Sequence, residues 1–491
     1  MFDRHSRWTT LRLEPLMRSL TRLTTAGALG ATALALLTGC LGSSGSGSGD
    51  QNANRNSDAK KVELTIGSNS VKGGKSSAGA TFLEDVLIPK FVAEQKGKGV
   101  DVTVKFQGDG SDDEVYKQKL SLDLSNKAGP DLFQIDGIWV GEFAQAGYIK
   151  PLTDTVGDAA KVNDWDGWKQ IPESVQQLGS FEGKRYGVPG GTDGRVLYFN
   201  KKLFQQAGLP ADWQPKSWDD IISAGQALKK LPGVTPIQIN AGTAMGEATS
   251  MQGVLPLLVG TGATVNTDGK WLGNTPQLRQ VLDFYHQIYS TGLGDPVLQR
   301  EAKGRDKSFA EFSANKIGIL LESDYFWRSV VEPKEGVARM ADRDAAVGWA
   351  LIPASKPGAG VKGQDFVSMS GGGATVINPN TKFPQQAWEF LQFMNSAEMV
   401  KESLAGAAKI TQRSDVNSEV LKSDPMLSFV AEKVLPITQY RPGRAEYPQV
   451  SAALQQATAD VVGGKSTDAA ATAYGKVVET AAGGKDKVTS N

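Results

Sequence analysis

Apolar and polar residues alternate over residues 62–66 and again over residues 100–106, which is the pattern of half-buried β-strands. Between these stretches, the apolar side chains from Phe82 to Phe91 recur at helical spacing. The order strand, helix, strand is the repeating unit of α/β folds.

The same alternation of element types continues along the chain. Short apolar runs predict further strands at residues 130–135, 317–321, 347–352 and 374–377. Helix starts are indicated by the cap-like spacings Ser111 to Glu114, before a helix reaching Leu124, and Ser217 to Asp220; residues 387–394 follow a 3.6-residue period. The fold class predicted is α/β, and a chain of 491 residues predicts two or more domains.

Residues 1–39 have the layout of an export signal. They hold five of the 53 basic residues and two of the 53 acidic ones, followed by a short apolar stretch at residues 26–37. That stretch is too short to cross a bilayer core of roughly 30 Å. The segment is therefore expected to direct export, and no basic block remains elsewhere that would suggest nucleic acid binding.

Cys40 is the single cysteine of the chain and follows Leu37-Thr38-Gly39. This stretch resembles the lipobox of bacterial lipoproteins, which implies cleavage before Cys40 and a diacylglyceryl group on its sulfur. Residues 40–60 are rich in Gly, Ser, Asn and Asp, so the lipidated cysteine and a flexible linker are expected there. The expected location is the outer face of the cell membrane.

Several separate segments, taken together in their order and spacing, resemble the extracellular solute-binding proteins of ATP-driven importers, in particular the carbohydrate-binding group of the maltose-binding protein family. The segments that carry this resemblance are residues 129–136, 143–152, 186–189, 196–201, 207–208, 217–219, 316–319, 371–379 and 388–391. The resemblance spans residues 61–485.

The resemblance implies a two-lobed α/β fold with a hinge and a ligand cleft between the lobes. Lobe 1 is expected at residues 61–192 plus 364–409, and lobe 2 at 193–363 plus 410–487. The implied function is capture of a sugar or short oligosaccharide and its delivery to the transmembrane subunits of an ABC permease. The protein is expected to be a monomer that uses no cofactor or metal and catalyses no reaction.

A sugar site needs carboxylates, amides or arginines beside aromatic rings, since hydroxyls require hydrogen-bond partners and C–H faces require flat apolar surfaces. Asp136 and Trp139 follow a predicted strand, where ligands of open α/β sheets bind, and match a ligand-binding segment of the family. Asp193 precedes an asparagine by the family's seven-residue spacing, with Arg195 beside it. The alternatives are a core tryptophan and a turn-forming Asp-Gly.

The segment after the strand at residues 317–321 supplies two aromatic candidates. The family register places Tyr325 where a ring stacks on the sugar, with Trp327 as its partner or as a core residue. Gly372 lies in a run of glycines whose N–H groups would face the cleft. Asn69, Gln252 and Arg441 complete the predicted ligand-binding residues.

The sequence motifs of several other classes of function are incomplete in this chain. A P-loop at residues 74–76 lacks its first glycine, a calcium loop at 109–120 lacks its central glycine, and two histidines are too few for a zinc or iron receptor. A receptor for a peptide, polyamine or polyol remains open. So does an exported carbohydrate hydrolase in which Asp193, Glu322 and Asp324 converge.

Overall fold

Helices and strands alternate over the described part of the chain, residues 55–301 and 303–490 of a computed structural model. The predicted signal, Cys40 and the linker as far as residue 54 lie outside the described residues, whereas residues 55–60 lead directly into the first strand.

The strands are β1 Lys61–Ser68, β2 Asp101–Gly108, β3 Leu132–Asp136, β4 Ser180–Phe181, β5 Lys184–Arg185, β6 Gly187–Pro189, β7 Arg195–Asn200, β8 Thr235–Gln238, β9 Asn266–Thr267, β10 Lys270–Leu272, β11 Ile317–Ser323, β12 Val347–Ala350, β13 Ile352–Pro353, β14 Phe366–Ser370, β15 Gly373–Ile377, β16 Thr438–Tyr440 and β17 Val488–Thr489.

The α-helices are α1 Ser77–Thr81, α2 Ile88–Gly97, α3 Asp113–Ser125, α4 Gly137–Gln145, α5 Leu152–Val156, α6 Ala159–Asn163, α7 Glu173–Gln176, α8 Lys201–Gln206, α9 Trp218–Leu228, α10 Glu247–Thr249, α11 Leu255–Val259, α12 Pro276–Ser290, α13 Gly304–Ser313, α14 Arg343–Ala346, α15 Pro384–Met394, α16 Ala397–Ser403, α17 Ser414–Val420, α18 Pro425–Phe429, α19 Tyr447–Val462 and α20 Thr467–Ala481. Segments of π-helix at Phe82–Leu87, Ser250–Val254, Phe326–Val330 and Val430–Val434 connect several of them.

Two separate sheets organise these elements. Sheet A has the strand order β2-β1-β3-β15-β6, in which the first three strands are parallel and the last two reverse direction at each step. Sheet B has the order β12-β7-β11-β8, with only β11 and β8 parallel. A smaller sheet, β13-β14-β16, pairs strands that are far apart in the sequence.

The apolar positions that predicted the strands are the ones that build the core. Val62, Leu64 and Ile66 of β1 are fully buried, while the intervening side chains face outward. The strands predicted from alternation or apolar runs are confirmed, except that residues 347–352 form two strands, β12 and β13, in different sheets. The helices predicted at Phe82, Ser217 and Ala387 are confirmed. The α/β class is confirmed as well.

One predicted cap is wrong. The helix expected to start at Ser111 begins at Asp113, with Asp112 as the N-cap and no side-chain cap bond. The carboxylate of Asp109 accepts hydrogen bonds from both the N–H and the hydroxyl of Ser111, and Ser111 lies in the bend before the helix. The cap predicted at Ser217 is present in full, because Asp220 returns its bond to the N-cap backbone.

Within residues 55–301 and 303–490, no helix combines the length and apolarity required to cross a membrane.

Candidate functional site

The ends of strands from all three sheets place charged side chains next to one another. β3 ends at Asp136, Asp193 precedes β7, and Arg441 follows β16. Gly371, which links β14 to β15, lies among them, since a Cβ built on it would be 3.6 Å from an Asp193 Oδ atom and 3.8 Å from an Arg441 Nη atom. Residues predicted from distant parts of the sequence are thus brought together.

Asp193 and Arg195 form a largely buried ion pair. Arg195 retains 6% of its surface exposed, and its Nη1 contacts the Asp193 carboxylate. The N–H of Gly371 donates to the same carboxylate at 2.6 Å. Burial acts to raise the pKa of Asp193, but Arg195 and the Gly371 N–H outweigh it, so the pKa lies below its ordinary value and the group is ionised.

Arg441 joins a strand end of sheet A to helix α10. Its guanidinium lies 3.6 Å from the Asp136 carboxylate and 3.3 Å from Glu247 Oε1. Glu247 also accepts hydrogen bonds from Tyr447 Oη and Ser451 Oγ. We call Asp136, Arg441, Glu247 and Tyr447 the bridging cluster.

Asp136 of the bridging cluster caps helix α4 through a 3.0 Å bond from the Ile138 N–H. Burial raises its pKa, and Arg441 and the capping bond offset this effect only in part. Asp136 nevertheless keeps 39% of its side chain exposed, so its carboxylate is accessible to a ligand.

Tyr325 is the exposed aromatic residue of the site. It retains 37% of its surface exposed, and its ring lies 5.9 Å from the guanidinium of Arg305 and 5.6 Å from that of Arg328. Arg305 forms a two-pronged ion pair with fully buried Glu322, at 2.7 and 2.9 Å, and Arg328 Nε donates to Asp324 at 2.9 Å. We call these five residues the tyrosine cluster.

Asp324 connects the tyrosine cluster to the Asp193 region. Its Oδ1 accepts from the Gly194 N–H at 3.0 Å, and its own N–H donates to the Gly194 carbonyl at 2.9 Å. Burial and the nearby charge of Asp193 raise the pKa of Asp324. The two predicted groups of residues are therefore connected through the hydrogen bonds between Asp324 and Gly194.

Two of the predicted aromatic residues are buried in the structure. Trp327 is 2% exposed, and its indole N–H donates to the Asp424 carboxylate while Arg343 covers its ring. Trp139 is 9% exposed and packs in an apolar cluster with Tyr116 and Phe143. Both pack among core residues, which favours the core alternative, and ligand contact by either one stays a prediction.

Asn69 and Gln252 are not joined to these clusters by any described contact. Asn69 donates to Asp113 at 2.8 Å, and Gln252 is buried at a kink between helices with its Oε1 unpartnered. For these two residues, ligand contact stays a prediction.

Gly372 has a backbone role. Its φ of +145° is one that L side chains rarely adopt, and a Cβ there would be 2.4 Å from the Gly191 carbonyl oxygen. Its own carbonyl accepts from the Gly137 N–H at 3.0 Å. The glycine thus lets the segment after β14 pass between residue 191 and the start of α4.

Sequence reasoning missed Glu247, Arg305 and Arg328. Each lies in a helical segment, α10, α13 or the π-helix at Phe326–Val330, whose sequence pattern marks no functional position. Among the described residues, no group of three or more His, Cys, Asp or Glu side chains is arranged to hold a metal ion.

Comparison with known proteins gives consistent results. The family described as bacterial extracellular solute-binding protein matches residues 76–401. A binding protein of Brucella abortus (strain 2308) is 26% identical over 373 residues, covering 75% of this chain and 79% of that protein. The diacetylchitobiose binding protein DasA of Streptomyces coelicolor is 24% identical over 334 residues, covering 65% and 68%.

Among solved structures, the sugar-binding protein MalE of Xanthomonas citri superimposes with a TM-score of 0.68 at 17% identity, covering 86% of this chain and 97% of that one. Likenesses of this kind establish the two-lobed fold predicted from the sequence.

Proposed function

Because the chain belongs to the bacterial extracellular solute-binding proteins, we propose that it captures a sugar or short oligosaccharide between its lobes and delivers it to the transmembrane subunits of an ABC permease.

The observation that carries the sugar assignment is the exposed ring of Tyr325 within a set of ionised side chains. A sugar presents flat C–H faces, which pack on an aromatic ring, and hydroxyls, which hydrogen-bond strongly to charged partners. Asp136 and Asp193 add partly exposed carboxylates. The names of DasA and MalE, which refer to diacetylchitobiose and to sugar, agree with this chemistry.

Ligand binding by a two-lobed transport receptor shifts the population of the protein from the open form to the closed form. A ligand that contacts both lobes stabilises the closed form by its differential affinity for the two states. The bridging cluster is placed to contribute to such a ligand site, since Arg441 contacts both Asp136 at the end of sheet A and Glu247 of α10.

The predicted lobe boundaries, 61–192 plus 364–409 and 193–363 plus 410–487, stay a prediction. The strands support them, since every strand of sheet A falls in the first set and every strand of sheet B in the second. The β13-β14-β16 sheet contains strands from both sets, so the connections between the lobes pass through it.

Binding without catalysis is part of the proposal. Two of the three carboxylates suggested for a hydrolase are buried and already paired: Glu322 is fully buried against Arg305, and Asp324 is 1% exposed and bonded to Gly194 and Arg328. The corresponding measurement is recovery of the bound sugar, which should be chemically unchanged after prolonged incubation.

The proposed function is tested by calorimetric titration of the purified protein with mono- and disaccharides, polyols, a dipeptide and a polyamine. We expect a sugar to bind. Tyr325→Ala should weaken that binding by about tenfold or more, whereas Tyr325→Phe retains the ring and most of the affinity. Leu122→Ala, at an exposed apolar position of α3, is the control. Binding of only the peptide or polyamine would contradict the sugar assignment.

We also propose that the protein is exported, held at the membrane by a lipid on Cys40, and monomeric. Cys40→Ala should release the protein from the membrane fraction into the medium; retention would contradict the anchor. Light scattering during size-exclusion chromatography should give the mass of a single chain.

A further inference from the structure

The hairpin formed by β4 and β5 borders a cavity of about 450 Å³ that contains no residue of the bridging or tyrosine clusters. Its volume lies within the range of small-molecule pockets, roughly 300–1,000 Å³. Arg185 of β5 lines this cavity together with side chains of helices α5, α6 and α7. We call it the Arg185 cavity.

Two neighbours hold the Arg185 guanidinium in place. Its Nε donates to Gln176 Oε1 at 3.0 Å, and its Cζ lies 4.4 Å from the centroid of the Trp168 ring. Gln176 is fixed in turn by a 2.8 Å bond from its NH₂ group to the Ile171 carbonyl oxygen. The Trp168 indole N–H donates to the Val162 carbonyl oxygen at 2.8 Å. A guanidinium held in this way loses little conformational freedom when it binds a partner.

The two Nη groups of Arg185, in contrast, are unused. They form no hydrogen bond and no ion pair with any residue in the described part of the chain, and they are not buried. The four arginines of the candidate site each contact a carboxylate, and they are Arg195, Arg305, Arg328 and Arg441. Burial without a neighbouring acid lowers the pKa of Arg185. Arg185 is therefore a positioned cation that no described carboxylate of this chain neutralises.

Among the described residues that line the cavity, cations outnumber acids. Lys184 lies beside Arg185 and is exposed, while Glu173 is the single acid, and neither has an ion-pair partner in the described chain. Asn163 and Gln177 add side-chain amides that make no hydrogen bond with a described residue. Guanidinium, ammonium and amide N–H groups are all donors, and an arginine fork binds a carboxylate through two parallel bonds. The cavity therefore has the chemistry to bind a carboxylate.

The hairpin that carries Arg185 also contacts the two segments beside the bridging cluster. A Cβ built on Gly141 of α4 would be 2.6 Å from Phe181 Cδ2, so the hairpin packs directly on this helix. Glu182 lies 3.3 Å from the guanidinium of Arg444, in the segment after β16. A partner seated in the Arg185 cavity therefore contacts a hairpin that is joined to both segments.

We propose that the Arg185 cavity receives an acidic side chain of the ABC permease, whose carboxylate binds the two Nη groups of Arg185. Lys184 supplies additional positive charge at the entrance. The permease must recognise the receptor without occupying its sugar site, and the cavity meets this need because it is separate from both clusters. This inference rests on the proposed function and specifies where the receptor binds its partner.

The experiment separates sugar uptake from sugar binding. Cells that lack their own copy of the receptor are supplied with each variant, and uptake of the radiolabelled sugar identified by calorimetry is measured at saturating concentration. Arg185→Gln should lower the uptake rate about tenfold while sugar affinity of the purified variant stays within about twofold. Arg185→Lys keeps the charge and loses the fork, so it should restore uptake only in part.

Two controls exclude a purely structural effect. The thermal unfolding midpoint and the amount of receptor on the cells are measured for every variant, because Arg185 also covers the Trp168 ring. Arg300→Gln is the matched variant, since Arg300 lacks an ion pair among the described residues but is exposed in the short helical turn Leu298–Arg300. It should leave uptake unchanged. Loss of uptake that only follows a loss of folded receptor would overturn the inference.

Suppressor selection then identifies the partner. Arg185→Glu should abolish uptake, and mutations that restore it should replace an aspartate or glutamate of a permease subunit by lysine or arginine. Suppressors confined to the receptor would overturn the permease contact. So would calorimetric binding of citrate, as a free carboxylate probe, that Arg185→Gln removes without any change in uptake.

The remaining outcomes distinguish this inference from the proposed function. Normal uptake by Arg185→Gln, in cells where the parent receptor transports the sugar, would overturn the inference and leave the proposed function standing. Failure of the parent protein to bind any sugar would overturn the proposed function, and with it the basis of this inference.

Discussion

The main chain of Gly443 lies directly against that of Gly141 in helix α4. A Cβ built on Gly141 would be only 1.7 Å from the Gly443 carbonyl oxygen, and one built on Gly443 would be 3.0 Å from the Gly141 nitrogen. Glycine is therefore required at Gly141, and Gly443 leaves little room for a side chain. This contact holds the segment after β16 against α4. Arg441 is two residues before Gly443, and Asp136 is one residue before α4, so the contact places Arg441 beside Asp136.

Gly141→Ala should displace that segment. Because the overlap is with backbone, which cannot move aside alone, we expect a loss of about 2–4 kcal/mol in unfolding free energy and weaker sugar binding. Gly97→Ala is the control, since it lies in helix α2 with nothing within 4 Å of its Cβ position and should be neutral or slightly stabilising. Urea unfolding measures both; equal stability of the two variants would refute the contact.

The ion pair of Glu322 and Arg305 is the buried part of the tyrosine cluster. Arg305→Met should cost about 3 kcal/mol or more, because it leaves a fully buried carboxylate without its cation. Replacing both partners, as Arg305→Met with Glu322→Leu, should recover most of that loss.

A nearby pair serves as the comparison for this prediction. Lys307 and Glu301 are also ion-paired, at 2.9 Å, but both are exposed. Lys307→Met should therefore change the unfolding free energy by less than about 1 kcal/mol. If Arg305→Met proved as mild, the Glu322 carboxylate would have to be reached by water.

Sequence patterns predicted the structure correctly where the residues that form the pattern belong to a single helix or strand. Strand alternation and the cap at Ser217 involve residues within one element, and both were confirmed. The cap predicted at Ser111 was wrong, since Asp112 is the N-cap and Ser111 is bonded to Asp109 in the bend before the helix. The pairing of Arg441 with Glu247 joins residues 194 positions apart, so no spacing rule could reveal it.

The aromatic residues after β11 show a finer limit. Tyr325 and Trp327 are two positions apart in a helical segment, so their side chains point to roughly opposite sides of it. One had to face the core and the other the solvent. The sequence identified the pair, but only the packing of Trp327 on Arg343 and Asp424 determines which ring is exposed.

Asp109 should make stability depend on acid pH. The Ser111 hydroxyl and Lys119 lower its pKa to about 2 from an ordinary 3.8. A lowered pKa in the folded state stabilises the protein above the unfolded value, and this contribution is lost as the pH falls from about 4 to about 2.

Asp109→Asn should therefore cost up to about 2 kcal/mol at pH 7, and the difference from the parent protein should vanish near pH 2. Chemical denaturation at several pH values tests this, with the exposed Asp101→Asn as control. A difference that stayed constant down to pH 2 would mean that packing, and not charge, is responsible.

The close approach of Gly372 to Gly191 leaves no room for a side chain at residue 372. Gly372→Ala must adopt a φ near +145° and would place its Cβ 2.4 Å from the Gly191 carbonyl oxygen and 2.8 Å from Leu178 Cδ1. We expect a loss of about 3 kcal/mol or more. Gly190→Ala, with nothing within 4 Å of its Cβ position, should be tolerated. Since the two substitutions add the same methyl group to the same region, a comparable thermal unfolding midpoint for both would show that the chain there can shift freely, and Gly372 would lose its assigned role.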